Sequence, residues 1–240
     1  MKRLMKSVAI LAAVLAPSFA SAQDKVEPIL NMDVVSNYVW RGMGLGSAAI
    51  QPSLGASWKG LSLTAWGSYG FVDKDDTHEI DLTLEYEIGG FSVGVTDYYC
   101  VAGEDNAPGR YFDYCGKLDG AGHVLEAKVG YDFGFLSANW YINLFGADGT
   151  CPNGSRAYSS YFELSAPFKV GPTDWSATVG ISPYASSFYG NGAFACNNVA
   201  LKASYPIKIN EKFNIPVFAE ISANPNQAKM FFMAGFSLGI

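Results

Sequence analysis

Nine carboxylates that share one face of the chain carry most of the chemistry this sequence offers. They are Asp33, Glu79, Asp81, Glu85, Glu87, Glu126, Asp132, Glu163 and Glu220, and against them stand Arg41, Lys128 and Lys202. Four of the acids fall in one stretch, where Glu79, Asp81, Glu85 and Glu87 alternate with Ile80, Leu82, Leu84, Tyr86 and Ile88. A period of two puts the acids on one face of a strand and the hydrocarbon on the other. Fixed carboxylates lining a narrow passage with low-dielectric walls focus a negative potential, which is how acidic rings select cations. These twelve side chains are the expected pore lining, with a cation preference that weakens as the Debye length falls from about 10 Å at 0.1 M salt to about 3 Å at 1 M.

Other chemistry is thinly supplied. A Ser-His-acid site needs a histidine beside a serine and an acid; His78 and His123 both fall at strand edges, where a surface histidine is the simpler reading, so no catalytic residue is expected. Asp75, Asp76 and His78 have metal-ligand types, but such short charged clusters are usually solvated loop; no metal, cofactor or phosphate-binding loop is expected. Four cysteines, Cys100, Cys115, Cys151 and Cys196, form an even set. In an exported chain that suggests two disulfides. Cys100 and Cys115 flank one loop, which favours that pair and leaves Cys151 with Cys196; spacing alone allows three pairings.

The elements that must position these residues are strands. Gly89-Gly90 joins the acidic run to Phe91, Val93 and Val95 alternating with Ser92, Gly94 and Thr96, the pattern of a tight hairpin. Twelve such strands are predicted, near 30–40, 50–59, 61–71, 77–88, 90–100, 122–133, 135–145, 156–168, 173–186, 197–207, 213–222 and 229–240. Short turns (59–60, 89–90, 132–134, 169–172, 208–212) alternate with longer links (41–49, 72–76, 101–121, 146–155, 187–196, 223–228). That is the layout of an outer-membrane barrel, with both termini on the short-turn, periplasmic side. The fold class expected is all-β, a transmembrane antiparallel barrel. A soluble antiparallel sheet alternates as well, but its polar face seldom gathers so many like charges. Asp97 breaks the pattern by pointing at lipid, which a position at headgroup level or a bulge would explain. Tyr38, Trp40, Trp58, Tyr69, Tyr86, Tyr131, Trp175 and Tyr205 recur near strand ends, where interfacial girdles sit.

The N-terminus reads as a secretory signal over 1–22. Lys2, Arg3 and Lys6 precede the apolar run 8–15, and Ala20-Ser21-Ala22 supplies a cleavage site before Gln23. Residues 23–240 are then the barrel, exported through the Sec pathway to the bacterial outer membrane. Cleavage takes the formal charge from −6 to −9, with 13 basic residues left against 22 acidic. That balance excludes nucleic acid as a partner. After Ala22 no apolar run reaches the roughly 20 residues of a spanning helix, so a membrane form must be a closed barrel. The end, Phe236-Ser237-Leu238-Gly239-Ile240, resembles the C-terminal strand through which such proteins meet the barrel-assembly machinery.

Ser36-Asn37-Tyr38-Val39-Trp40-Arg41-Gly42, then Gln51-Pro52 and Trp66-Gly67-Ser68, resemble the TorF-like family of outer-membrane porins. The motif residues lie in the first third of the chain and the hairpin layout continues to the end. The resemblance implies a barrel and a pore without catalytic residues; the cysteine-bearing 101–121 segment departs from it. Twelve strands about 4.8 Å apart and tilted about 40° enclose a backbone radius of about 12 Å. The inward-assigned Ser53, Gly55, Ser57, Ser62, Thr64, Ser68, Gly94, Gly130, Thr178, Gly180, Gly235 and Gly239 are small, which points to a narrow water-filled lumen for small hydrophilic solutes or cations, unless 101–121 folds in as a plug. The competing readings are a non-conducting structural or adhesive barrel and, less well supported, a barrel-scaffold enzyme. Solute identity and oligomeric state have no sequence signal.

Overall fold

A computed structural model describes residues 25–72, 76, 78–101, 111–112, 122–211 and 213–239. Alternating residues put every wall strand half in and half out, and each pairs with its chain neighbour through hairpins. In chain order the wall is β1 (Glu27–Val35), β4 (Ala49–Trp58), β5 (Leu61–Gly70), β6 (His78–Ile88), β7 (Phe91–Val101), β8 (His123–Asp132), β9 (Ser137–Gly146), β10 (Ser160–Val170), β11 (Thr173–Ser182), β12 (Ala195–Lys208), β13 (Asn214–Asn224) and β14 (Lys229–Gly239). These twelve antiparallel strands form a closed barrel, as expected. β14 closes on β1 with Asn31 opposite Gly239 and Val35 opposite Gly235. Closure leaves no unpaired edge.

The first predicted strand is the main departure. It does not run through 30–40. β1 stops at Val35, and the chain leaves the wall at Ser36-Asn37 to form β2 (Tyr38–Trp40) and β3 (Met43–Gly46), a separate two-stranded hairpin. The chain rejoins the wall at Ala49, the register partner of Val35. Tyr38 and Trp40 therefore leave the expected girdle for the interior. Trp58, Tyr69, Tyr86, Tyr131 and Tyr205 stay exposed on the outer wall. The 223–228 link tightens into a 3-10 turn, Pro225–Gln227, capped by the Asn224 side chain.

Burial is inverted relative to a water-soluble domain. The outer wall exposes large apolar side chains along its whole circumference, among them Leu54 (64%), Phe145 (66%), Ile221 and Phe232. The buried positions are mostly Asn, Ser, Glu and Tyr facing inward. A small apolar cluster of Val35, Ala49, Phe218 and Met233 sits inside, and Val39 of the hairpin packs on it.

Asp97 faces outward as parity requires. The β6–β7 register runs unbroken past it, with Leu82 opposite, so no bulge turns it inward there. His123 Nδ1 lies 2.9 Å from its carboxylate, and His123 Nε2 lies 2.6 Å from the carbonyl oxygen of Tyr111. The pair is thereby covered on the outer wall.

Candidate functional site: a plugged lumen

The hairpin β2–β3 enters the barrel from the long-loop end and lodges in it. Its tip is a two-residue turn, Arg41-Gly42, with both residues at positive φ (49° and 73°). That is the geometry of a type I′ hairpin, which favours Asn-Gly. An arginine there accepts backbone strain of about 1–2 kcal/mol, so its side chain must supply the compensation.

It does so through a cage built by five separate parts of the fold. Glu126 on β8 takes two hydrogen bonds from the guanidinium, Nη1 to Oε2 at 2.6 Å and Nη2 to Oε1 at 2.8 Å. Such a fork is the strongest carboxylate geometry available to arginine. Tyr98 on β7 donates to Glu126 Oε1 at 3.0 Å and holds the carboxylate in place. Nη1 also donates to the Tyr189 hydroxyl at 2.7 Å, from the 183–194 loop. The guanidinium carbon lies 4.0 Å from the ring centroid of Tyr141 on β9, 4.6 Å from that of Tyr161 on β10, and 4.3 Å from that of its neighbour Trp40. These are cation–π distances. Arg41 is 9% exposed, Glu126 2%, and Tyr161 and Tyr189 fully buried. Burial pushes the Tyr189 phenol above its usual range, with Arg41 pulling the other way, so it remains a neutral hydroxyl.

The rest of the hairpin is keyed into the wall. The Tyr38 hydroxyl donates to Glu79 Oε2 at 2.8 Å, and its ring lies 5.6 Å from Trp66. Asn224 Nδ2 donates to the Gly42 carbonyl at 3.1 Å. A Cβ on Gly42 would lie 2.0 Å from the Asn197 carbonyl oxygen, and one on Gly44 would lie 2.7 Å from the Phe231 ring. At Gly42 the obstacle is backbone and φ is positive, so only glycine permits the approach; at Gly44 the Phe231 side chain would have to turn. Asp76 accepts from the Ser47 backbone N–H at 2.8 Å and from the Ser47 hydroxyl, pinning the return to β4.

The expected pore-lining residues spread along the wall. Glu79, Asp81, Glu126 and Arg41 are buried at the long-loop end. Asp81 keeps one carboxylate oxygen without a hydrogen-bond partner. Towards the short-turn end Glu85 and Lys128 pair, in mid-wall Lys202 stands opposite Glu220, and Asp33, two residues before the end of β1, accepts from Asn31 Nδ2 at 2.9 Å. Glu163 accepts from the Tyr161 hydroxyl at 3.1 Å. Glu87 is exposed, and Asp132 caps its own turn through the Gly134 N–H.

Two expectations need correction. The small inward residues do not add up to an open lumen at the long-loop end. A Cβ on Gly180 would fall on the Tyr161 hydroxyl, and one on Gly235 on the Phe218 ring, so these glycines make room for large inward neighbours. A plug that sequence reading did not foresee comes from the first link, while 101–121, the expected candidate, lies outside the described residues except for 101, 111 and 112. Cys100, Cys151 and Cys196 carry free thiols, and Cys115 lies outside the described residues. The Cys151 sulfur lies 4.0 Å from the Ala185 carbonyl, and the Cys151–Cys196 bond is not made. His78 stacks on Tyr69 with centroids 4.5 Å apart. Asp75 is outside the described residues, and the described ones contain no metal-holding group of three or more His, Cys, Asp or Glu.

Sequence reading missed Tyr98, Tyr141, Tyr161 and Tyr189. Tyr141 had a signal, an aromatic on the polar face between Asn139 and Asn143. Tyr189 sits in a loop and had none.

No protein-family model and no curated protein sequence matches the chain. Among solved structures it is similar to the NanC porin (9% identity over 88% of this chain and 98% of that one, TM-score 0.46). It is also similar to Salmonella typhi OmpF in complex with daunomycin (16% identity, 81% and 63% covered, TM-score 0.37). A third is BamA from Haemophilus ducreyi (11% identity, 85% and 47% covered, TM-score 0.39).

Proposed function

We propose that the chain is a porin-like barrel of the bacterial outer membrane, a narrow passage for small hydrophilic cations held shut at its long-loop mouth by the β2–β3 hairpin. The inverted burial carries the reading. A wall that exposes Leu, Ile, Val and Phe on its whole outside while burying Asn, Ser and Glu fits lipid outside and polar contents inside. The signal-like 1–22 segment, short turns beside both termini, and the resemblance of 36–42 to TorF-like porins support the same assignment. Cleavage after Ala22, periplasmic termini and insertion by the barrel-assembly machinery through the C-terminal strand belong to this proposal.

The charge of the lumen supports cation preference. Arg41 is consumed by Glu126 and Lys128 by Glu85, with Glu163 close to both cations, while Glu79 accepts from the Tyr38 hydroxyl and Asp81 keeps an oxygen without a hydrogen-bond partner. The plug itself favours a second reading, a barrel that does not conduct. Both histidines are engaged in wall contacts, which supports transport or structure over catalysis.

Reversal potentials across a planar bilayer under a KCl gradient, measured on a barrel from which residues 38–46 have been deleted, test the proposal. Cation sign at low salt, shrinking towards zero at about 1 M, is expected. Anion sign, or the same selectivity after Glu79, Asp81, Glu85 and Glu87 are changed to Gln or Asn, would overturn cation preference.

A further inference from the structure

The cage around Arg41 is more elaborate than a wedge needs. A hairpin could block a lumen with bulk alone. Here Glu126 presents both oxygens to one planar cation, Tyr98 fixes that carboxylate, Tyr189 meets a third N–H···O contact, and Tyr141 and Tyr161 offer ring faces. All of these belong to the barrel and one of its loops. The cation does not: it is borne on a hairpin joined to the wall through Ser36-Asn37 and Ser47-Ala48.

We infer that this cage is a binding site for guanidinium ions, with Arg41 as its tethered occupant, and that free guanidinium compounds displace the hairpin and are the solutes the barrel admits. This deepens the channel reading and, for its consequence in transport, rests on it. The chemistry selects the ligand class. A guanidinium is planar, forks onto a carboxylate and is weakly hydrated on its faces, so it gains from aromatic walls in a dry site. An ammonium is a compact, strongly hydrated charge that can approach a ring face but cannot fork onto both carboxylate oxygens, and it costs more to dehydrate. Charge balance explains why a ligand is needed to open the plug. If Arg41 withdrew alone, Glu126 would remain as an unpaired carboxylate among tyrosines, a state the site resists. An incoming guanidinium keeps the pair intact while the hairpin leaves. A short tether gives Arg41 an effective concentration of roughly millimolar order, so opening should respond to solute in that range.

Arg41→Asn empties the cage without disturbing the turn, since Asn-Gly is the preferred type I′ pair. Deleting residues 38–46 empties it by another route, leaving 36, 37, 47 and 48 as a four-residue link between register partners Val35 and Ala49. Both would be purified folded in detergent, judged by heat-modifiable migration, and titrated calorimetrically with methylguanidinium chloride and methylammonium chloride at constant ionic strength. The expected result is one methylguanidinium bound per barrel, methylammonium at least about tenfold weaker, and binding abolished when Glu126→Gln is added. Absence of saturable binding in a folded variant, equal affinity for the two ions, or binding that survives Glu126→Gln would overturn the inference. Because the titration needs no current, binding by a barrel that never conducts would overturn only the channel reading. Conduction without guanidinium binding would overturn only this one.

Discussion

Arg41 places a charge where water hardly reaches, and its partners decide whether that is tolerable. A buried ion pair adds modest net stability, but removing one member leaves the other uncompensated, at about 3–5 kcal/mol. Glu126→Gln and Arg41→Asn should therefore both loosen the hairpin, the second less, because relief of the turn strain offsets about 1–2 kcal/mol of the cost of leaving Glu126 unpaired. Melting followed by the loss of the heat-modifiable band should fall for both variants, and further for Glu126→Gln; wild-type melting of either would contradict the cage. Arg41→Lys should behave as a partial loss, since an ammonium cannot fork onto both Glu126 oxygens. Alternation put Glu126 and Glu79 on the polar face of their strands, and both are buried; it could not place Arg41, which reaches the interior on a hairpin tip outside the wall. It paired none of them, since Arg41 and Glu126 are 85 residues apart and meet only after the barrel closes.

At the scale of the element, the hairpin depends on one close backbone approach, Gly42 against Asn197. Gly42→Val would drive a side chain into the Asn197 carbonyl, at a cost of at least about 1–3 kcal/mol for overpacking, and the hairpin should swing out while the wall remains. Trypsin reads this directly, because cleavage after Arg41 requires that bond to be reachable. Wild type should resist, and Gly42→Val should be cut there with the heat-modifiable band retained. Equal resistance of both would mean that the hairpin has another way to seat. The hairpin was illegible as a separate element for a physical reason. Tyr38-Val39-Trp40 continues the alternation of β1, and a period of two is the same in the wall and inside it. The break is made by tertiary contacts: Ser36 donates its N–H to the Ala234 carbonyl and accepts from the Ala234 N–H through its side chain, ending the strand.

For the whole molecule, alternating strands and alternating turn lengths were enough to read twelve strands and their closure. Lumen occupancy was not legible, because inward serines and glycines look alike whether they border water or make room for a tyrosine. The fold should show strand-dominated circular dichroism and an SDS mobility that shifts on boiling; a helix-dominated spectrum would contradict it. The central claim is that one hairpin closes an otherwise conductive barrel. The measurement is single-channel recording in planar bilayers of wild type beside the 38–46 deletion, both verified as folded by their mobility shift. Wild type should stay closed or open briefly, and the deletion should give a steady, cation-selective current. A folded deletion variant that conducts no more than wild type would contradict the account.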